Sequence, residues 1–249
     1  MKNILVVGAS GGIGSQVAKM LMDEGYFVIG TFFQHEERLQ TLVSPNFQGK
    51  QVDLRNPNSV TELAGSIKDS GLSLFAVINC AGICQFEGAD IQSDFNIWQD
   101  TIATNLSGNF YLAKIFYDLI SENGRLILIS STDSFYGGDI TASYAASKAG
   151  VSSLVKSFSI LFKEKKIRVN AIAPGWVETP MIAGNGADFL QKVADINPLK
   201  RNAQPADVAN LISFLLSAKA DYLNGQVIPF EGGYTNQDPT LLIESEGQK

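Results

Sequence analysis

Ile4-Leu5-Val6-Val7-Gly8-Ala9-Ser10-Gly11-Gly12-Ile13-Gly14-Ser15-Gln16-Val17 joins a short apolar run to a glycine-rich turn and then to a helical pattern. The run predicts a buried strand, and residues 13–23, with apolar side chains three and four apart, predict the helix behind the turn. In such a unit each glycine has its own task. Gly8 permits the tight turn, Gly12 lets a ligand approach the backbone, and Gly14 lets helix and strand pack closely. Amides exposed at the helix N-terminus then meet the charge of a pyrophosphate. Glycine strings also serve plain turns, and it is the position directly after a first strand that points to a dinucleotide.

The same alternation continues outward along the chain. Apolar runs at 4–7, 27–31, 51–54, 75–79, 126–130, 168–172 and 226–230 predict seven strands. Helical spacing over 13–23, 59–67, 95–120, 143–163 and 206–217 predicts the crossovers between them. Strands alternating with helices predict an α/β, doubly wound Rossmann fold whose seven-stranded, mainly parallel sheet is covered on both faces. No linker, repeat or low-complexity segment divides residues 1–249, so a single domain is expected. Residues 178–204 are the least regular and are expected to form a lid over the site. The tail at 234–249 is irregular too, either mobile or in the service of a partner chain.

Composition narrows the functional classes. Hydrophobic residues at 45% and charged residues at 18% are those of a folded globular chain. A net charge of -6, with 19 basic against 25 acidic residues and no basic run, argues against a nucleic-acid or anionic-membrane surface. Cys80 and Cys84 are too few for a disulfide framework and lack partner ligands for zinc, so no metal site and a reducing compartment are expected. The N-terminal apolar run is too short for a signal peptide, and no membrane-length apolar stretch follows, which points to the cytoplasm. His35, in an early polar loop, is the only histidine and argues against Ser-His-Asp hydrolysis.

The chemistry-bearing residues lie in the second half. Thr141-Ala142-Ser143-Tyr144-Ala145-Ala146-Ser147-Lys148 opens a helix on which Tyr144 and Lys148, four apart, share a face. A phenol has an unperturbed pKa of about 10, and a neighbouring ammonium favours phenolate, which would give a poised acid/base. The same spacing also serves packing and surface. Ser131 follows a strand at 126–130, where a hydroxyl at the C-terminal edge of a parallel sheet faces the crevice. After Asn79, the small residues Cys80-Ala81-Gly82 either leave room for a flat cofactor or form a tight loop. Pro174-Gly175-Trp176-Val177-Glu178-Thr179 offers backbone groups and a hydroxyl to a nicotinamide amide. The second strand ends Thr31-Phe32-Phe33-Gln34, with no acid before Glu36. Absence of that carboxylate removes a repulsion against a 2′-phosphate and favours NADP over NAD. His35 and Arg38 are the candidate cations, but Glu36 and Glu37 stand beside them, so NAD stays open.

Taken together these residues resemble the short-chain dehydrogenase/reductase family, from the Gly8-Gly12-Gly14 turn to Leu223-Asn224-Gly225-Gln226 and Glu231-Gly232-Gly233. The resemblance implies a catalytic set of Asn105, Ser131, Tyr144 and Lys148. By it, Tyr144 exchanges a proton with the carbonyl oxygen, Ser131 holds that oxygen, Lys148 lowers the tyrosine pKa and binds the nicotinamide ribose, and Asn105 positions a relay water. It also implies cofactor contacts from Gly8, Ser10, Gly11, Gly12, Ile13, Gly14, Phe33, Asp53 and Leu54 on the adenosine side. On the nicotinamide side it implies Asn79, Ala81, Gly82, Tyr144, Lys148, Pro174, Val177 and Thr179. Two positions depart from the family pattern: Val7 stands where threonine is usual, and Cys80 interrupts the usual Asn-Asn-Ala-Gly.

Within the family, residues 94–105 and 198–205 look most like 3-oxoacyl-carrier-protein reductases. That implies NADPH-dependent reduction of a 3-oxoacyl thioester or a natural-product ketone, with a small carbonyl/alcohol compound as substrate. The alternatives are an NAD-dependent secondary alcohol dehydrogenase and a non-catalytic dinucleotide sensor. The resemblance further implies a homotetramer, or a homodimer, packed through 95–120 and 143–163, where Ala145, Ala146, Ala149 and Gly150 are small. Trp98, Phe135, Tyr136, Trp176 and Met181 are candidates for an apolar pocket or, equally, for core and lid packing.

Overall fold

In the computed structural model, which describes residues 1–87, 95–138 and 140–236, Ile4, Leu5, Val6 and Val7 are all fully buried. They form β1 (Asn3–Val7), and a strand with no exposed side chain must be covered on both faces. Successive side chains point to opposite faces. Leu5 and Val7 join one apolar core, while Ile4 and Val6 join another. Six further strands flank β1: β2 (Phe27–Phe32), β3 (Phe47–Gln51), β4 (Leu74–Asn79), β5 (Ile120–Ile129), β6 (Arg168–Pro174) and β7 (Val227–Phe230). Their order is β3-β2-β1-β4-β5-β6-β7, and every neighbouring pair is parallel.

The helices divide between the two cores. On one face Val17, Ala18 and Leu21 of α1 (Gly12–Asp23) pack with Val208, Ile212 and Leu215 of the seventh helix, Pro205–Leu216. On the other lie α2 (Pro57–Asp69), with Val60 and Leu63, and two helices that carry Leu112, Phe116, Val151, Val155 and Phe158. Each large side chain buried in this way contributes roughly 1.5–3 kcal/mol. Chain direction across the sheet reverses at β1, so β1 and β4 diverge to β2 and β5, and the crevice beyond their C-terminal ends is the usual ligand position of such sheets.

Several elements differ from the sequence-based expectation. The helix expected over 95–120 is α3 (Phe95–Thr101), a π-helical turn (Ile102–Ser107) and α4 (Gly108–Phe116), after which Ile120 already pairs with Leu74 in the sheet. Gly108 lies against Leu54, where a Cβ would come within 2.8 Å of the Leu54 Cβ, so the wide turn coincides with a close approach. The fifth strand starts before residue 126 because Ile120 and Arg125 pair with Leu74 and Ala76, leaving Ser121 to Gly124 looped out. The third strand is Phe47–Gln51 rather than 51–54; Val52 and Leu54 are buried in the loop beyond it. After α5 (Ala142–Leu161), the expected irregular lid contains α6 (Ala187–Ile196), followed by α7 (Pro205–Leu216). This segment is fastened at its base, where the Ala203 N–H donates to Trp176 O and the Glu178 N–H to Ala203 O, both at 2.9 Å. Asp94 and the tail beyond 236 lie outside the described residues. Among the described residues no helix is long and apolar enough to cross a membrane.

Candidate active site

At three glycines the turn after β1 has no room for a side chain. Gly8 holds a φ of +78°, and a Cβ there would stand 2.8 Å from the Ala81 backbone. One on Gly14 would fall 2.1 Å from the Gly8 carbonyl oxygen, and one on Gly12 would meet Thr179 at 2.8 Å. The Gly8 N–H donates to Thr31 Oγ1 at 3.1 Å, so a hydroxyl from β2 anchors the turn where Val7 offers none. Gly11 caps α1 without a side-chain bond, which leaves its first-turn amides with no side-chain partner. Ser10 and Gly11 belong to the same turn, and Ile13 lies in the first turn of α1.

A second group of residues ties the loop after β4 to the catalytic helix. Asn79 donates to Asn109 Oδ1 at 2.8 Å and accepts the Ala81 N–H at 3.0 Å. Asn109 in turn donates to the Asn105 carbonyl at 2.5 Å. Asn105, fully buried in the π-helical turn, accepts the Ile83 N–H at 2.9 Å and donates to Ile83 O at 2.8 Å and Ser147 Oγ at 3.1 Å. Both its amide hydrogens are therefore committed, which gives Asn105 a fastening role between the loop at Ile83 and the helix at Ser147. A π-helical turn is a frequent mark of a functional position, and here it is what turns Asn105 inward. Ser147, Asn109 and Thr31 were invisible to sequence reasoning, since only tertiary closure gives them partners.

Tyr144, Lys148 and Ser131 meet in a cleft of about 110 Å³. Ile13, Ala81, Gly82, Pro174, Val177 and Thr179 line it too. Cys80 and Met181 line it as well. The catalytic helix is fixed to β5 by Ser130 Oγ, which donates to Lys148 O at 3.1 Å and lies 2.9 Å from Ser152 Oγ. Its N-terminus, with no cap from Thr141, is capped from afar: the Ser143 N–H donates to Glu87 Oε1 at 2.6 Å.

Electrostatics at the pair run opposite to the sequence expectation. The Tyr144 phenol is held above its ordinary pKa, by burial first and then by its neighbours Cys84 and Asp133, while the Ser131 hydroxyl pulls it down. The Lys148 ammonium sits 5.5 Å from the Tyr144 ring centroid and donates to Ile129 O at 2.8 Å. Burial brings Lys148 down to about 8. Burial also pushes Cys80 up to about 12 and Cys84 up to about 11, so both are neutral thiols.

The adenosine-side candidates lie away from this cleft. Phe33 is 39% exposed, with the Arg55 guanidinium 5.0 Å over its ring. Asp53 pairs with Arg55 at 2.9 Å, and that hydrogen bond holds its carboxyl below the ordinary range. Arg55 had not been singled out in the sequence; it follows Asp53 by two residues and only the loop brings it onto Phe33. His35 is bonded to Glu37 at 2.9 Å. Of the pocket candidates, only Met181 lines the cleft; Trp176 packs edge-on to Phe189 of α6, with centroids 5.3 Å apart, and Trp98, Phe135 and Tyr136 are exposed. Taken together, the side-chain-free turn, the uncapped α1 and the small Ala81-Gly82 edge fit a nicotinamide dinucleotide.

Known proteins agree with this architecture. The family described as enoyl-(acyl carrier protein) reductase matches residues 8–235. The 3-oxoacyl-(acyl-carrier-protein) reductase FabG of Buchnera aphidicola is 33% identical over 232 residues, covering 92% of this chain and 95% of its own. Acetoacetyl-CoA reductase of an Acinetobacter species is 31% identical over 241 residues, covering 93% and 97%. The solved structure of ElxO with NADP bound superimposes with a TM-score of 0.83 at 28% identity, over 95% of this chain and 99% of that one. With the glycine turn, the Ser131-Tyr144-Lys148 cleft and these relatives in agreement, the chain belongs to the short-chain dehydrogenase/reductase family and is an oxidoreductase.

Proposed function

We propose that the protein reduces a ketone with NADPH, a 3-oxoacyl thioester or a natural-product ketone being the first substrates to try. The observation that carries this reading is the cleft that Ser131, Tyr144 and Lys148 line together, with Ile13 of the first helix and Pro174, Val177 and Thr179 of the loop after β6. Relatives that reduce 3-oxoacyl and acetoacetyl thioesters support the substrate class, and NADP-bound structural neighbours support the cofactor.

When bound, a reduced nicotinamide supplies a hydride. The turn at Gly8, Gly12 and Gly14 would hold its pyrophosphate, Phe33, Asp53 and Leu54 would border the adenosine, and Pro174, Val177 and Thr179 would orient the carboxamide end. The Ser131 hydroxyl holds the carbonyl oxygen. Tyr144 gives its proton to that oxygen as negative charge develops there. Because the phenol is held above its usual pKa, it stays protonated at neutral pH, and a proton donor is what reduction requires. Lys148, cationic below about pH 8, stabilises the phenolate left behind. Asn105 and Ser147 keep the loop at Ile83 and the helix at Tyr144 in register.

NAD-dependent oxidation of a secondary alcohol is the second reading, favoured by one observation: Arg55, the cation over Phe33, is committed to Asp53. A panel of ketones and alcohols, followed by nicotinamide absorbance with both cofactors, separates the two. Ketone-dependent NADPH oxidation is expected; turnover with NADH alone would replace the first reading by the second. Assembly as a homotetramer or homodimer through α4 and α5 belongs to the same proposal, supported by the exposed Phe110, Ile160 and Leu161 on those helices.

A further inference from the structure

Asp133 lies two residues beyond Ser131, in a short turn that follows β5. Its backbone N–H donates to Ser131 Oγ at 3.1 Å, which binds the turn to the hydroxyl of the cleft. The side chain is partly buried, and among the described residues no donor or cation lies within hydrogen-bonding or ion-pair distance of its carboxylate. Its charge nevertheless acts on Tyr144 and Lys148, which line the cleft, and on Cys84. A partly desolvated carboxylate with no protein partner is costly unless something else satisfies it. Other carboxylates near the site are already engaged: Glu87 takes the Ser143 N–H, and Glu178 takes Gln204 Nε2 at 2.7 Å. Of these three carboxylates Asp133 alone has no protein partner among the described residues, and its backbone N–H holds it against the Ser131 hydroxyl that lines the cleft.

We propose that Asp133 recognises the substrate, its carboxylate accepting a hydrogen bond from a hydroxyl or ammonium group carried beside the carbonyl that Ser131 and Tyr144 engage. The inference rests on the ketone-reductase reading and narrows it, since an unsubstituted 3-oxoacyl chain has no such donor. An anionic group at that position is disfavoured by the same charge.

The test compares acetoin with butanone as substrates, and butanediol and an aminobutanol with butanol as ligands of the protein–dinucleotide complex by calorimetry. The hydroxyl- and amino-bearing members separate the two donors. A donor-bearing compound is expected to be preferred about tenfold, the worth of a hydrogen bond to a charged group, and the preference for acetoin should lie in KM rather than kcat. Asp133→Ala should abolish the preference and Asp133→Asn should reduce it. Equal binding of all three alcohols by the parent, or an undiminished preference in Asp133→Ala, would overturn the proposal. Calorimetry decides this without turnover, so absence of any ketone reduction would overturn the proposed function alone. Failure of the parent to bind either dinucleotide would remove both.

Discussion

Residues 8–14 present backbone to the crevice, whereas residues 131–148 present side chains, and the two halves of the site depend on different parts of the chain. The glycine turn is self-contained: its shape follows from three missing Cβ atoms and one hydroxyl from the neighbouring strand. The catalytic half is held from other elements, through Asn105 and Asn109 in a distorted helix, Glu87 at the α5 N-terminus and Ser130 just past β5. Changes to the first half should therefore act sterically on fold and binding together. Changes to the second should alter chemistry and ionisation while the fold survives.

Gly14→Ala should give the largest break. The added Cβ meets the Gly8 carbonyl, which is backbone and cannot turn aside, so unfolding free energy should fall by about 1–3 kcal/mol and dinucleotide affinity should drop with it. Urea unfolding and a cofactor titration check both; unimpaired stability with normal binding would show that the turn is more pliable than its geometry implies.

A smaller effect should sharpen the other half. Lys148 has its pKa lowered from 10.5 to about 8 by burial, so between those values the unfolded chain holds a proton that the folded chain lacks. Stability contributed by this group therefore rises as pH climbs through that window, with a slope of at most about 1.4 kcal/mol per pH unit. Urea unfolding of the parent and Lys148→Met at about pH 7 and about pH 9.5 should show the rise in the parent only. Identical pH dependence in both would mean that the lysine is not desolvated.

The contrast between the halves also explains what was legible in the sequence. Residues 4–14 declare themselves because strand, turn and helix are contiguous and each glycine leaves a visible mark. Fully buried strands such as β1 and β4 are continuous apolar runs. The edge strand Phe47–Gln51 is not, since Gln48, Gly49 and Gln51 are exposed, and the apolar Val52 and Leu54 drew the expected strand past its end. Helix α6 did leave a signal, with Phe189, Leu190, Val193 and Ala194 on one face, which the polar residues between them obscured. Nothing local distinguishes the π-helical turn at Ile102–Ser107, and the role of Asn105 follows only from family resemblance, whereas helical spacing marks Tyr144 and Lys148 and a strand-end position marks Ser131. Direction of the Tyr144 shift was misjudged for a physical reason: helical spacing shows which residues are neighbours, but burial, which outweighs the neighbour here, depends on the whole fold.

The central claim is that Tyr144 delivers a proton to a carbonyl oxygen in a site that holds NADPH. It is tested most directly by measuring NADPH affinity and ketone reduction side by side in the parent and Tyr144→Phe. Binding should be retained and the rate should fall by about 10²–10⁴-fold, the usual worth of a positioned general acid. A Tyr144→Phe protein that binds NADPH and reduces the ketone at the parent rate would contradict the account.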